Sequence, residues 1–395
     1  MRKKHFLFAS VLALLCGSSA LHAQDFKLTS SGYFKNQGVD IMAFDDIYPE
    51  GHQGGVCIIM NGHRVATNGD IRLEATPGQW QPVPKQLDRK LGDNSITATL
   101  CYPDSSRHLT GFNPMIYPDL HLIYTVNVES KGKNIEVTVD LDRPIPQEFI
   151  GKVGFNLEFF PGSLFGKPWI MDGQSGIFPQ QPNSPLMTTQ PNYLHTGNYH
   201  DGKKSLADMD KLIGKGYSPI VADDIISEPY AKGTKFTSRP DDPYNKVTIE
   251  SLSGDLQLFD GRMNHNNGWF VLRSNIKPGV TKGAVKWIIT PNVVADWMYQ
   301  PVIQTSQIGY HPTQDKEAVI EMDIRDNRKE TAQIIRIDAD GEKVVKNVTP
   351  ANWGKFLRYN YLKVNFTDVK EPGLYKIKYN TSVSPIFRID NDVYA

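Results

Sequence analysis
Residues 122–141 restrict the fold of this chain more than any other stretch. Leu122, Tyr124, Val126 and Val128 alternate with polar residues, and Ile135, Val137 and Val139 do the same. An apolar side chain at every second position buries one face of a strand and wets the other, a period no helix can use. Lys131-Gly-Lys-Asn134 lies between the two runs and supplies a turn. The pattern predicts an antiparallel hairpin.

The same grammar recurs along residues 24–300. Strands are expected over 26–34, 39–44, 55–60, 64–66 and 71–75, with an Asn61-Gly62 turn before the fourth. More follow over 96–102, 121–129, 134–141, 153–160, 246–252, 255–259, 268–273 and 284–289. So many strands call for two large packed sheets, a broad super-sandwich, with two smaller jelly rolls as the alternative. Residues 161–219 break the pattern, being rich in Gly, Pro, Asn, Gln and aromatics, with one short helix expected over 205–212. An irregular run of that length inside a domain is usually functional or wraps another surface. Residues 291–301 read as a boundary.

Residues 301–395 form a second, small all-β unit. They open on Gln304-Thr-Ser-Gln-Ile-Gly-Tyr-His-Pro312, turn at Asp340-Gly341 and at Glu371-Pro-Gly-Leu-Tyr375, and close on Phe387-Arg-Ile-Asp-Asn-Asp-Val-Tyr394. Turn residues punctuate β-branched runs about every 8–12 residues, as in a small sandwich. These three phrases, in that order and spacing, resemble the N-terminal immunoglobulin-like module of family 9 glycoside hydrolases. The family's usual Asn before Gln-Val-Gly-Tyr is Ser306 here, and its Val is Ile308. The resemblance covers about a quarter of the chain. It implies a module that braces a helical catalytic barrel, in an inverting enzyme of the endoglucanase type cutting β-glucan. In that family the Asp-x-Val-Tyr phrase hands over to the barrel, and here it is followed by Ala395. A braced module lacking its barrel is expected to expose apolar surface near its C-terminus.

The family's water-activating Asp-Ala-Gly-Asp phrase is absent, so no catalytic residue is carried over. Asn68-Gly-Asp70 and Ser253-Gly-Asp255 are the nearest strings and read as β-turns. The expectation is a chain inactive alone, the non-catalytic N-terminal portion of a cellulase-type enzyme. A stand-alone carbohydrate-binding protein is the alternative. The expected partners are β-glucan polysaccharide and the helical catalytic domain.

Residues 1–23 read as a signal peptide. Met1-Arg-Lys-Lys4 is charged, residues 6–15 are apolar but too short to span a bilayer, and Ala20-Leu-His-Ala23 offers a cleavage site before Gln24. Cys16 would be the anchor point in a lipoprotein reading. An exported, periplasmic or extracellular bacterial protein is expected, with no transmembrane segment. Lys plus Arg and Asp plus Glu each number 43, without a basic stripe, which argues against nucleic acid.

After export only Cys57 and Cys101 remain. They form either a disulfide, worth roughly 4 kcal/mol in loop closure, or two buried thiols. Their spacing is no metal motif. Asp45, Asp46 and Glu50, beside His52 and Gly54-Gly55, are the best acidic cluster. Paired carboxylates do acid–base work or hold calcium, and the plainer reading is loop capping. Asp223-Asp224 and Asp241-Asp242 read as loops. Gly173-Gln-Ser-Gly176 lacks the spacing of a nucleophile elbow, and His195 and His200 have no third ligand nearby. No metal or cofactor is expected. Trp80, Trp169, Tyr193, Tyr199 and Trp269, with Tyr217, are candidates to stack on sugar rings; the plainer reading is core packing, as expected for Trp287 and Trp353.

Overall fold
The computed structural model describes residues 25–45, 54–74, 76–77, 82–107, 120–182, 227–263 and 268–395. Among them the fold is all-β, joined by turns and four single-turn 3-10 segments. The expected signal peptide, Cys16 and the expected helix over 205–212 lie outside the described residues. No described helix is long and apolar enough to cross a membrane.

Two nine-stranded sheets carry most of residues 27–291. From edge to edge the first contains Lys27–Leu28, Phe34–Asn36, Val39–Ala43, Val56–Met60, His63–Leu73, Val153–Phe159, Phe270–Asn275, Leu256–Asp260 and Ala231–Gly233. The second contains Gln174–Ile177, Pro168–Met171, Lys235–Ser238, Val247–Ser251, Val285–Pro291, Asn134–Leu141, Leu122–Lys131, Ser95–Tyr102 and Lys85–Leu91. Every strand pair is antiparallel; Lys131 faces Asn134 across the expected hairpin turn.

The inner faces share one core. Leu122, Tyr124, Val126 and Val128 meet Ile135, Val137 and Val139 there, as their alternation requires. Trp287 is fully buried and packs edge-on against Phe155 at 5.0 Å. Each such side chain contributes about 1.5–3 kcal/mol of burial. A single core under two large sheets is the super-sandwich, and the jelly-roll alternative falls with it.

Several local expectations change, among them the strand expected over 26–34, which is two paired strands, Lys27–Leu28 and Phe34–Asn36. The strands expected at 64–66 and 71–75 are one strand, His63–Leu73, bent by a bulge where Asn68 adopts a φ of 56°. Asn68-Gly-Asp70 is therefore part of a strand and not a turn. Residues 161–182, expected to be irregular, contain the hairpin Pro168–Met171 and Gln174–Ile177. The edge strand Lys85–Leu91 carries no alternation in its sequence because it has almost no buried face.

The small sandwich has its own core. One sheet orders Val302–Gln304, Glu317–Asp323, Tyr359–Asn365 and Ala351–Phe356. The other orders Gly341–Val348, Ala332–Asp338, Gly373–Tyr379 and Ser382–Val383, with Phe387–Ile389 also on Gly373–Tyr379. The two units meet at residues 297–299. The backbone carbonyl of Trp297 accepts from Gln37 Nε2 at 2.7 Å and from Arg325 Nη2 at 2.6 Å. Asp40 and Arg358 pair across the same joint at 3.6 Å.

Candidate functional site
The three phrases that mark the small sandwich converge on one point. Gly309 has a φ of +97°, and a Cβ there would lie 2.3 Å from the Arg388 carbonyl, so only glycine passes. Tyr310 then donates its N–H to Arg388 O at 2.8 Å and accepts from Asp390 N at 3.1 Å. Its hydroxyl donates to Glu317 O and accepts from Ser306 N, both at 2.9 Å. Its ring lies edge-on to Phe366 and Phe387. Phe387 also stacks on Tyr375, whose hydroxyl ties back to Glu371 O at 2.8 Å. The opening phrase, the Pro-Gly turn and the closing strand thus form one buckle, with Phe387 at its centre.

Around this buckle exposed apolar side chains stand among polar ones such as the Arg388–Asp392 ion pair at 2.9 Å. Ile308 and Ile386 are each 61% exposed, and Tyr394 is exposed beside them with its hydroxyl on Gln314 Oε1 at 2.7 Å. All three sit on the two chain segments that Tyr310 laces together. These are exposed apolar side chains close to the C-terminal end of the module.

A second feature is a buried polar network in the large sandwich. Asp70, Arg72 and Glu74 alternate with the core residues Ile71 and Leu73. Asn156 and Glu158 on the next strand, and Arg273 on the one after, complete it. Arg273 is 1% exposed; its guanidinium donates to Asn156 Oδ1 at 3.1 Å, Glu74 Oε1 at 3.3 Å, and the carbonyls of Glu74 and Lys152 at 2.9 Å. Asn156 Nδ2 donates to Glu74 Oε1 at 2.6 Å. The bulge aims Asn68 Nδ2 at Glu158 Oε2, 2.6 Å away. Tyr124 Oη donates to Asp70 Oδ1 at 2.8 Å, and Arg72 lies 3.7 Å from Asp70 Oδ2.

Burial pushes the Asp70 carboxyl up to about 6, against Arg72, Tyr124 and the Ile71 N–H. Burial pushes Glu74 up to about 7, opposed by Arg273 and reinforced by the nearby Glu158 charge. Groups so perturbed are often catalytic. These are closed in among their partners, and their geometry suits holding protons and locking three strands together.

The sequence candidates are mostly not gathered into one site. Asp45 lies exposed just beyond the strand Val39–Ala43, 3.9 Å from Arg89. Asp46, Glu50, His52, Trp80, Tyr193, His195, Tyr199, His200, Tyr217 and Asp223-Asp224 lie outside the described residues. Trp169 is 7% exposed, its ring laid over Gly176 in the core, so it offers no face to a sugar. Trp269 is half-buried and packs edge-on to Phe160 at 4.4 Å. Asp242 caps a turn through Tyr244 N and Asn245 Nδ2, as loop chemistry predicts. Among the described residues no cluster of His, Cys, Asp and Glu is arranged to hold a metal.

Cys57 and Cys101 are not bridged. They stand on different sheets, and Cys101 shares the outward face of its strand with Thr97 and Thr99 while Leu100 and Tyr102 point into the core. The disulfide expectation fails on direction. Trp353, expected in packing, is instead 56% exposed.

Residues 298–384 match the cellulase N-terminal ig-like domain. The Ig-like unit at the C-terminal end is therefore of cellulase-associated type. Among solved structures, a GH9 protein of Bacteroides ovatus is similar over 23% of this chain at 26% identity, with a TM-score of 0.19. The match spans 16% of that protein's length. The Slr1438 protein of Synechocystis sp. PCC 6803 is similar over 68% of this chain and 96% of its own, at 10% identity and a TM-score of 0.30. No curated protein matches the chain.

Proposed function
We propose that this chain is the non-catalytic N-terminal portion of an exported, family 9-like glycoside hydrolase that degrades β-glucan. Its Ig-like module, residues 301–395, braces a helical catalytic domain, and residues 24–300 form a separate large domain. The supporting observation is the match over residues 298–384 together with the apolar surface at Ile308, Ile386 and Tyr394. Bracing works by covering apolar side chains that the small sandwich leaves in water, each Å² buried contributing about 25 cal/mol, across an interface of the roughly 600–1,500 Å² usual between domains. Export follows from the charged, apolar and small-residue order of residues 1–23.

The coding frame around the chain tests this reading. A helical domain bearing an Asp-Ala-Gly-Asp phrase in the same frame is the expected finding. A frame in which this Ig-like unit adjoins no hydrolase domain overturns it.

A further inference from the structure
The small sandwich contains a cleft of about 290 Å³. One wall is the loop after Glu317–Asp323, with Arg328 and Lys329; the other is the edge strand Ala351–Phe356, with Asn352 and Lys355. Between them lie the buried Asn360 and Leu362, on the strand that separates these two elements in the sheet.

Asn352 and Lys355 are three residues apart, a spacing that puts side chains on opposite faces of a regular strand. The bulge between Asn352 and Gly354 inserts Trp353 and returns both to one face. Asn352 then stands opposite Leu362, and Lys355 opposite Asn360. Cross-strand partners share a face, and Leu362 and Asn360 are buried, so this face is the inner one. Gly354 adopts a φ of +125°, and a Cβ there would meet nothing within 4 Å, so the backbone beside the cleft is open.

The opposite wall is rigid. Asp326 is buried and accepts from Arg328 N at 3.0 Å, Nε at 2.9 Å and Nη2 at 2.6 Å. The Asp326 carbonyl accepts from Asn360 Nδ2 at 2.8 Å. Arg328 is thus fixed and its charge answered by Asp326. Lys329 and Lys355 are exposed, and neither has an ion pair among the described residues. The amide of Asn352 has no hydrogen bond among them either. Glu330, the other carboxylate that acts on Arg328, does not line the cleft.

The cleft therefore presents two uncompensated ammonium groups and a free amide, with no carboxylate in its lining. Two cations facing one concave space repel each other, and low-dielectric walls concentrate their field. An oxyanion between them relieves that repulsion and accepts charge-assisted hydrogen bonds from both walls. The Arg328 fork is already spent on Asp326, so the lysines act as point charges that take a carboxylate or a phosphate alike. Ligand pockets run to roughly 300–1,000 Å³. This one is at the small end, which suits one charged group or one sugar ring.

We propose that the cleft between Arg328–Lys329 and Asn352–Lys355 is a binding site for a small oxyanion, a carboxylate or phosphate group, with Lys329 and Lys355 supplying the charge and Asn352 a neutral hydrogen bond. The site needs no catalytic domain beside it, so its test and that of the parent enzyme are separate.

The test is isothermal titration calorimetry of the full chain at neutral pH and low salt, with inorganic phosphate, glucuronate and glucose as probes. Binding of phosphate or glucuronate is expected, weakened by added sodium chloride, and no binding of glucose. The tighter of the two names the source, a phosphorylated ligand or an acidic sugar. Lys329→Gln together with Lys355→Gln should weaken binding tenfold or more, a charged donor being worth about that much. Asn352→Ala should weaken it less. Lys343→Gln removes a like charge from the far end of Gly341–Val348 and should leave binding unchanged. All four side chains are exposed, so the melting temperature of each variant should hold. No binding of either oxyanion overturns the proposal, as does equal binding of glucose or undiminished binding by K329Q/K355Q. A loss in K343Q equal to that in the double variant also overturns it, because net charge and not this cleft would then be at work.

Discussion
Replacing Arg273 by methionine removes the centre of the buried network while keeping much of its volume. Glu74 then loses its guanidinium partner, and the carbonyls of Glu74 and Lys152 lose donors at 2.9 Å. Above about pH 7, where Glu74 is ionised, breaking this buried ion pair from one side costs about 3–5 kcal/mol, because the carboxylate must stay charged out of water or take up a proton. That is a large part of a typical domain's stability of about 5–15 kcal/mol. Urea unfolding followed by tryptophan fluorescence reads it locally, since Trp287 Nε1 donates to Ser274 Oγ next to Arg273 at 3.0 Å. A double replacement, R273M with Glu74→Gln, removes both charges and should recover at least half of the loss. A single-variant loss below about 1 kcal/mol would refute the view that these strands are locked through Arg273.

The same network sets a pH dependence. Asp70 and Glu74 hold protons in the folded state that the unfolded chain releases at lower pH, so stability falls as pH rises. The window runs from 3.8 to about 6 for Asp70 and from 4.5 to about 7 for Glu74. The loss is about 3 kcal/mol per group, and stability is level above it. Melting temperatures that rise across pH 4–7 would contradict this, and D70N with E74Q should flatten the slope. Gly38→Ala should loosen the joint between the sandwiches: φ is +67° there, and a Cβ would sit 2.8 Å from the Trp297 ring. Faster proteolysis at residues 292–300 is the expected result, with the core of each unit intact. Reducing agent should leave the melting temperature unchanged, because Cys57 and Cys101 are not bridged; a drop of several degrees would mean that they are.

The elements most legible in the sequence are those where pattern and turn agree. Residues 122–141 alternate cleanly and carry their own turn, and they fold as predicted. Lys85–Leu91 was illegible because an exposed edge strand needs no apolar face. The buried network was hidden for the opposite reason. Asp70, Arg72 and Glu74 look like the wet face of a half-buried strand, and the Asn-Gly pair before them looks like a turn. Their signal was the matching polar alternation of Asn156, Glu158 and Arg273, which becomes visible only once the three strands are neighbours. The motif phrases were legible as a family likeness, but their physical reason is three-dimensional: Gly309 is where the first phrase passes the last. Trp353 misled because an indole in a strand usually packs inward, and the bulge beside it turned it out.

Under the proposed function this chain supports glucan cleavage without performing it. Reducing-sugar release from mixed-linkage β-glucan and xyloglucan by the purified chain tests that most directly. No release above buffer at any enzyme concentration is predicted. Release that is lost in D70N or E74Q would overturn the proposed function and move catalysis into the large sandwich.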